Sequence, residues 1–289
     1  MQLHFHKAPY GNFGDDLNLW IWDALLPGWR DWAPDVVLIG VGTLLNEKIL
    51  APYRERRLLI IGSGVGYGQG PPTLPLSALW DFRSVRGPWS ARVLGLPREL
   101  GITDPAIMLP DCPEFQGTQS SGLPIFIPHH QSIHRHDWVE ACCEAGLTYV
   151  SPKGDARDVI HRIAAASLVV AESMHAAIIA DAFRVPWIPL RFNPFFNAAK
   201  WQDWAESMEL SFNIPHLTPL LDSLARSFAL LPRGYRVQEK FRHGLERARL
   251  ASALRRSAER EPYLSSNDVI QKNKRRYREV LEAVLLDYA

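Results

Sequence analysis

What the chain has little of narrows its class first. Only three of its 289 residues are cysteine, Cys112, Cys142 and Cys143. The number is odd and two are neighbours, so neither a disulfide framework nor a zinc-binding spacing can be drawn, and a reducing cytosol is the expected setting. An excess of charge of one sign is also missing. The 32 Lys+Arg stand against 31 Asp+Glu, a formal net charge of +1, which excludes a protein that binds nucleic acid by bulk attraction. No apolar run reaches the roughly 18 residues of a membrane span. The opening Met1-Gln2-Leu3-His4-Phe5-His6 lacks the apolar core of a signal peptide, so neither export by that route nor a bilayer span is expected. Neither G-x-G-x-x-G nor G-x-x-x-x-G-K-[ST] occurs, which removes the usual dinucleotide and P-loop readings.

What is present is an ordinary globular composition, 47% hydrophobic and 10% aromatic, enough for a sizeable core in two domains or one large one. Short apolar runs at 36–40, 58–62, 125–128, 168–171 and 187–190 read as strands. Between them, 17–26, 136–145, 155–166 and 174–183 have helical spacing. Alternation of this kind predicts an α/β fold with parallel sheets. The polar stretch 114–122 is the natural linker, dividing residues 1–118 from 119–232. After residue 232, 14 Lys+Arg face 8 Asp+Glu, leaving 18 against 23 before it, so 233–289 is a separate basic segment. Its Arg, Glu and Leu pattern predicts two amphipathic helices broken near Pro262-Tyr263.

Open parallel sheets bind ligands at the carboxyl ends of their strands, and those positions are rich here. Gly11-Asn12-Phe13-Gly14-Asp15-Asp16 offers backbone amides to an anion through Asn12 and Gly14. Asp15 and Asp16 cap a helix or face a ligand. Gly62-Ser63-Gly64-Val65-Gly66-Tyr67-Gly68-Gln69-Gly70 is either an amide-lined loop, with Gly64 a candidate to contact substrate, or a tight turn. His129 and His130 follow one strand and suit hydrogen bonding or proton transfer; a metal pair of His130 with His134 finds no acidic or cysteine ligand at a recognised spacing. Glu172 and His175 follow another strand. A histidine at a helix N-terminus has its neutral form favoured, which suits a base, whereas a buried structural histidine is the plainer alternative. Arg86 before Gly87-Pro88 is a candidate to grip a carboxylate or phosphate, or to form a salt bridge, and Lys200 beside Trp201 has the same two readings.

Taken together these residues resemble the polysaccharide pyruvyl transferase family, in the branch that makes pyruvate ketals on exopolysaccharides of the succinoglycan and xanthan type. The resemblance rests on Asn12-Phe13-Gly14-Asp15-Asp16-Leu17-Asn18, Gly40-Val41-Gly42-Thr43, Gly62-Ser63-Gly64-Val65-Gly66 and Val85-Arg86-Gly87-Pro88. It continues through Asp104-Pro105-Ala106, Pro128-His129-His130, Glu172-Ser173-Met174-His175, Val185-Pro186-Trp187 and Lys200-Trp201.

It implies two Rossmann-like domains facing each other across a cleft, as in GT-B glycosyltransferases, followed by the C-terminal helices. It also implies phosphoenolpyruvate as donor, a chemistry that requires no metal or other cofactor, while the charge balance argues against a nucleic-acid partner. The acceptor is a sugar of a repeat unit carried on polyprenyl pyrophosphate at the inner face of the cytoplasmic membrane. The basic C-terminal segment would suit docking on anionic lipid, or would simply pack on the domains. In this reading His175 is the acid or base, Glu172 orients it or shares the role, and Arg86 holds the donor anion. His129 and His130 lie on the acceptor side, and Asn12, Asp15 and Asp16 line the opposite wall. Many relatives carry arginine where this chain has Ser173, so another cation is needed, for which Arg86, Arg191 and Lys200 are the candidates. The alternatives are a GT-B glycosyltransferase using a nucleotide sugar and a non-catalytic carbohydrate-binding or assembly protein.

Overall fold

A computed structural model describes residues 1–66, 76–120, 122–192, 196–217 and 236–289. Within them the chain forms β1 (Gln2–His4), α1 (Phe13–Asp16), α2 (Ile21–Leu25), β2 (Val36–Ile39), α3 (Glu47–Leu50), β3 (Arg57–Ile61), β4 (Trp80–Ser84) and α4 (Pro88–Val93). There follow β5 (Pro124–Ile127), α5 (Trp138–Ala145), β6 (Thr148–Tyr149), α6 (Ala156–Ala165), β7 (Leu168–Ala171), α7 (Met174–Ala182), β8 (Trp187–Pro189) and α8 (Ala198–Ser207). Two long helices close the chain, α9 (Arg236–Ala258) and α10 (Asn267–Tyr288). The mixed α/β class with parallel sheets and the five strands expected from apolar runs are all found. The helix expected over 17–26 is broken: a 3-10 turn, Leu17–Leu19, is separated from α2 by Trp20, whose φ of −142° and ψ of −21° are not helical.

Contacts divide the chain into two units, residues 1–117, 197–212 and 265–289 in the first and 118–196 and 213–264 in the second. The segment after residue 232, set apart by its charge, is thus shared: α9 belongs to the second unit and α10 to the first.

In the first unit a four-stranded parallel sheet has the order β1-β2-β3-β4. β2 is buried at all four positions and β3 at four of five, the near-continuous hydrophobic run expected of a parallel strand covered on both faces. Val37, Ile39, Leu58 and Ile60 pack with Val65, Trp80, Val85 and Leu94. α10 is pinned to this unit by buried polar contacts. The Tyr277 hydroxyl donates to Thr103 O (2.6 Å) and accepts from Ser84 Oγ, Asn273 Nδ2 donates to Ser207 O (2.8 Å), and Lys274 pairs with Asp111 (2.7 Å). Burial drives the Tyr277 hydroxyl well above the ordinary phenol range, so it stays a donor.

In the second unit the parallel order is β6-β5-β7-β8. The chain leaves β5 to one side for β6, then returns across it to β7 and β8. The strand order thus reverses between β5 and β7, and open α/β sheets bind ligands outside the carboxyl ends of strands at such a point. α7 is buried at every residue, which explains its run of alanines and isoleucines. α5 starts at the Asp137 cap and stops at Gly146, whose φ of 77° is left-handed. α9 lays Leu250 and Leu254 against Trp138 and Cys142, and Arg247 pairs with Glu144 at 2.7 Å.

Candidate active site

The expected site residues fall at the carboxyl ends of both sheets. In the second unit Glu172 is the centre of the arrangement. It follows β7 directly and is completely buried. Oε2 accepts the His129 backbone N–H (2.9 Å), just past β5, and Oε1 accepts the Phe192 N–H (2.7 Å), just past β8. One carboxylate therefore ties together the strand-end loops of β5, β7 and β8, at the point where the strand order reverses. The Glu172 and Ser173 amides both donate to Ile127 O, completing the joint.

Around that joint stand the other expected residues. The His129 and His130 rings are 4.2 Å apart, and both are half-buried. His175 is the second residue of α7 and 8% exposed, so it sits in the positive first turn of a helix that begins beside Glu172. Arg191, next to Phe192, lies over the Phe196 ring at 5.7 Å, and its Nε is buried with no hydrogen-bond partner among the described residues. The remaining histidines disperse: His134 meets Lys153 Nζ at 3.0 Å, and His136 packs against Trp138 and Phe192. Among the described residues no three His, Cys, Asp or Glu side chains are grouped to hold a metal ion.

In the first unit the centre is Arg86. The expectation that it grips a donor anion meets a guanidinium with no exposed surface whose donors are all turned inward. Nη1 reaches Thr43 Oγ1 (2.8 Å) and Gly42 O (3.5 Å), and Nη2 reaches Val65 O (2.7 Å) and Asp203 (3.1 Å). Nε also donates to Asp203 (3.2 Å). Arg86 thus ties the loops after β2, β3 and β4, as Glu172 does in the second unit, but with a positive charge and a buried partner.

That arrangement explains the glycines. A Cβ on Gly64 would lie 2.3 Å from Arg86 Cζ, and one on Gly62 2.3 Å from the Pro105 ring and 2.6 Å from the Tyr277 hydroxyl. The Gly64 amide donates to Gly42 O, so this part of the loop packs against its neighbours; Gly68 and Gly70 lie outside the described residues. The acidic pair is turned onto Asn12: Asp16 Oδ2 accepts the Asn12 N–H at 3.0 Å and Asp15 Oδ2 accepts Asn12 Nδ2 at 2.6 Å, with Gly14 buried in the turn. Asn18 holds this segment to the end of β2, bonding Val41 N–H (2.8 Å) and Val41 O (2.9 Å). Lys200, half-buried on the first turn of α8, lies beside Gly66 and Thr43. Sequence reading did not single out Asp203; its partners are 113 and 117 residues away, and only the bare Gly87-Pro88 helix start hints that a cap must come from elsewhere.

Residues 3–194 match the polysaccharide pyruvyl transferase family. The chain is also similar to the succinoglycan biosynthesis protein ExoV of Rhizobium meliloti (strain 1021), with 38% identity over 320 aligned positions that take in the whole of both chains.

Proposed function

Since the chain belongs to the polysaccharide pyruvyl transferase family and transfers pyruvate to an exopolysaccharide, we propose that its donor is phosphoenolpyruvate and its product a cyclic pyruvate ketal. The observation that supports this best is the Glu172 joint, which holds together the strand-end loops that carry His129, His175 and Arg191. Acid–base groups and a cation there match what the chemistry needs. An enol carbon must be protonated, two hydroxyls deprotonated and an anionic donor held.

An acid delivers a proton to the methylene carbon, C2 gains cationic character, and the first sugar oxygen bonds to C2 as its proton passes to a base. The C2–O bond to phosphorus then breaks, and phosphate leaves with the electron pair. A second hydroxyl of the same sugar bonds to C2 and gives up its proton, closing the ketal. His175 is assigned the acid–base role. Arg191 and Lys200 hold the donor's carboxylate and phosphate, taking over from Arg86, which positions loops. Glu172 positions His129 and Arg191, and His129 and His130 face the acceptor. Asn12, Asp15 and Asp16 bound the acceptor.

The acceptor in this proposal is a repeat unit on a polyprenyl pyrophosphate. No described helix is long and apolar enough to cross a membrane. Several basic side chains of α10 are engaged within the first unit, Lys274 and Arg278 with Asp111 and Lys272 with Glu209. Peripheral lipid contact therefore falls to exposed residues such as Arg249 and Arg275. Calorimetry tests the donor. Phosphoenolpyruvate binding that weakens in Arg191→Met supports the reading, whereas binding of a nucleoside diphosphate and not of phosphoenolpyruvate would replace it with nucleotide-sugar chemistry.

A further inference from the structure

The start of α4 is completed by a carboxylate that the neighbouring sequence does not supply. Gly87 is the N-cap of α4 and has no side chain with which to accept the amides of the first turn. Asp203 of α8 takes that place. Its Oδ1 accepts the Ser90 N–H at 2.9 Å, and its Oδ2 accepts the Ser90 hydroxyl at 2.5 Å. Ser90 is the third residue of α4, an amide that an N-cap side chain ordinarily satisfies. Glycine at 87 is then a requirement of space, since a Cβ there would lie 2.1 Å from the Asp203 carbonyl oxygen and 2.3 Å from Oδ1. Oδ2 also receives Arg86, and both side chains of the pair are 0% exposed. A buried ion pair with every donor matched holds its partners in one register, and breaking it leaves a charge stranded.

The same helix carries Lys200 one turn before Asp203. Asn197, the N-cap of α8, accepts the Lys200 N–H (3.4 Å) and donates through Nδ2 to Gly66 O. A Cβ on Gly66 would lie 3.1 Å from Thr43 Cγ2 and 3.5 Å from Lys200 Cβ. The first turn of α8 therefore stands at the carboxyl ends of β2 and β3. Its hold there comes from Asn197 at one end and Asp203 at the other.

We infer that Asp203 is a positioning residue for pyruvyl transfer: by docking α8 on Arg86 and on the first turn of α4, it fixes Lys200 at the carboxyl rim of the first sheet, where the ammonium receives an anionic group of the donor. The inference rests on the reading above that Lys200 serves the donor. It gives the Val85-Arg86-Gly87-Pro88 motif a purpose, as the receptor for a helix from far along the chain.

A double-mutant cycle on the full chain tests it, with phosphate release from phosphoenolpyruvate as the readout. Asp203→Asn raises the donor KM about tenfold and leaves the acceptor KM within about twofold; in a Lys200→Ala background the same change adds less than about twofold, because the two act as a unit. A full increment in the Lys200→Ala background, an equal rise in acceptor KM, or a donor KM untouched by Lys200→Ala would each overturn the inference. Should Asp203→Asn not fold, Ser90→Ala, which keeps the ion pair, repeats the cycle with a rise of about threefold. If the wild-type protein releases no phosphate, the donor reading fails by itself, and docking is then read from amide hydrogen exchange in the first turn of α8. Protection lost in Asp203→Asn supports the docking, and protection unchanged overturns it.

Discussion

Replacing Glu172 by glutamine separates a positioning role from a direct one. The native carboxylate has no exposed surface and offers one oxygen to the His129 N–H and the other to the Phe192 N–H. Glutamine keeps the shape but has one oxygen and one amide nitrogen. Whichever way it turns, one backbone N–H faces another donor and is left buried without an acceptor, at about 1–3 kcal/mol. The surviving bond also changes from charge-assisted to neutral, roughly half its strength. Together the loss comes to about 2–4 kcal/mol, which for a chain of this size lowers Tm by roughly 3–7 °C. Thermal unfolding followed by circular dichroism gives the shift. Turnover should fall with it, because the loops carrying His129 and Arg191 lose their common anchor. A variant that melts within about one degree of wild type would refute the two-amide accounting. A variant that keeps its Tm but loses turnover would show the carboxylate acting on substrate.

Gly64→Ala should destabilise by about 2–4 kcal/mol in denaturant titration, because its Cβ would fall 2.3 Å from Arg86 Cζ in a site with no room to yield; an unchanged midpoint would contradict the packing reading. Burial pushes the Cys142 thiol up to about 12 and the Cys112 thiol up to about 11, whereas Cys143 is exposed, so iodoacetamide should add a single group to the native protein, at Cys143, by peptide mass mapping. Labelling of Cys142 without denaturant would count against this. Burial beside His6 lowers the His4 imidazole below 6.5, and its Nδ1 meets the Tyr53 hydroxyl at 2.8 Å. The folded state therefore favours neutral His4; this stability is complete above pH 6.5 and is lost as pH falls below it. His4→Gln should lessen the drop in urea midpoint between pH 7.5 and pH 5.5, and an unaltered drop would remove His4 from the account.

How much of this is legible in the sequence depends on how local its cause is. β2, β3, β5, β7 and β8 stand out because parallel strands covered on both faces read as unbroken apolar runs. β4 is fainter, legible only as a β-like run leading to Arg86, because Trp80-Asp81-Phe82-Arg83-Ser84 mixes charge into a strand whose middle is only half-buried, at the edge of its sheet. β6 is two residues long, too short for any periodicity. The alternating glycines mark special backbone, but the reason Gly64 lacks a side chain is an arginine 22 positions later. Asp203 shows the limit most plainly. Nothing within ten residues of it signals a helix cap for a segment more than a hundred residues earlier, and the charge excess after residue 232 likewise does not disclose that α9 and α10 belong to different units.

The most direct measurement of the central claim incubates the protein with phosphoenolpyruvate and a panel of lipid-linked or synthetic oligosaccharides, following phosphate release and acceptor mass together, with His175→Ala alongside. The account predicts one phosphate released for each acceptor that gains the mass of pyruvate less one water, and loss of both signals in the variant. Acceptor unchanged in mass, or full turnover without His175, would contradict it.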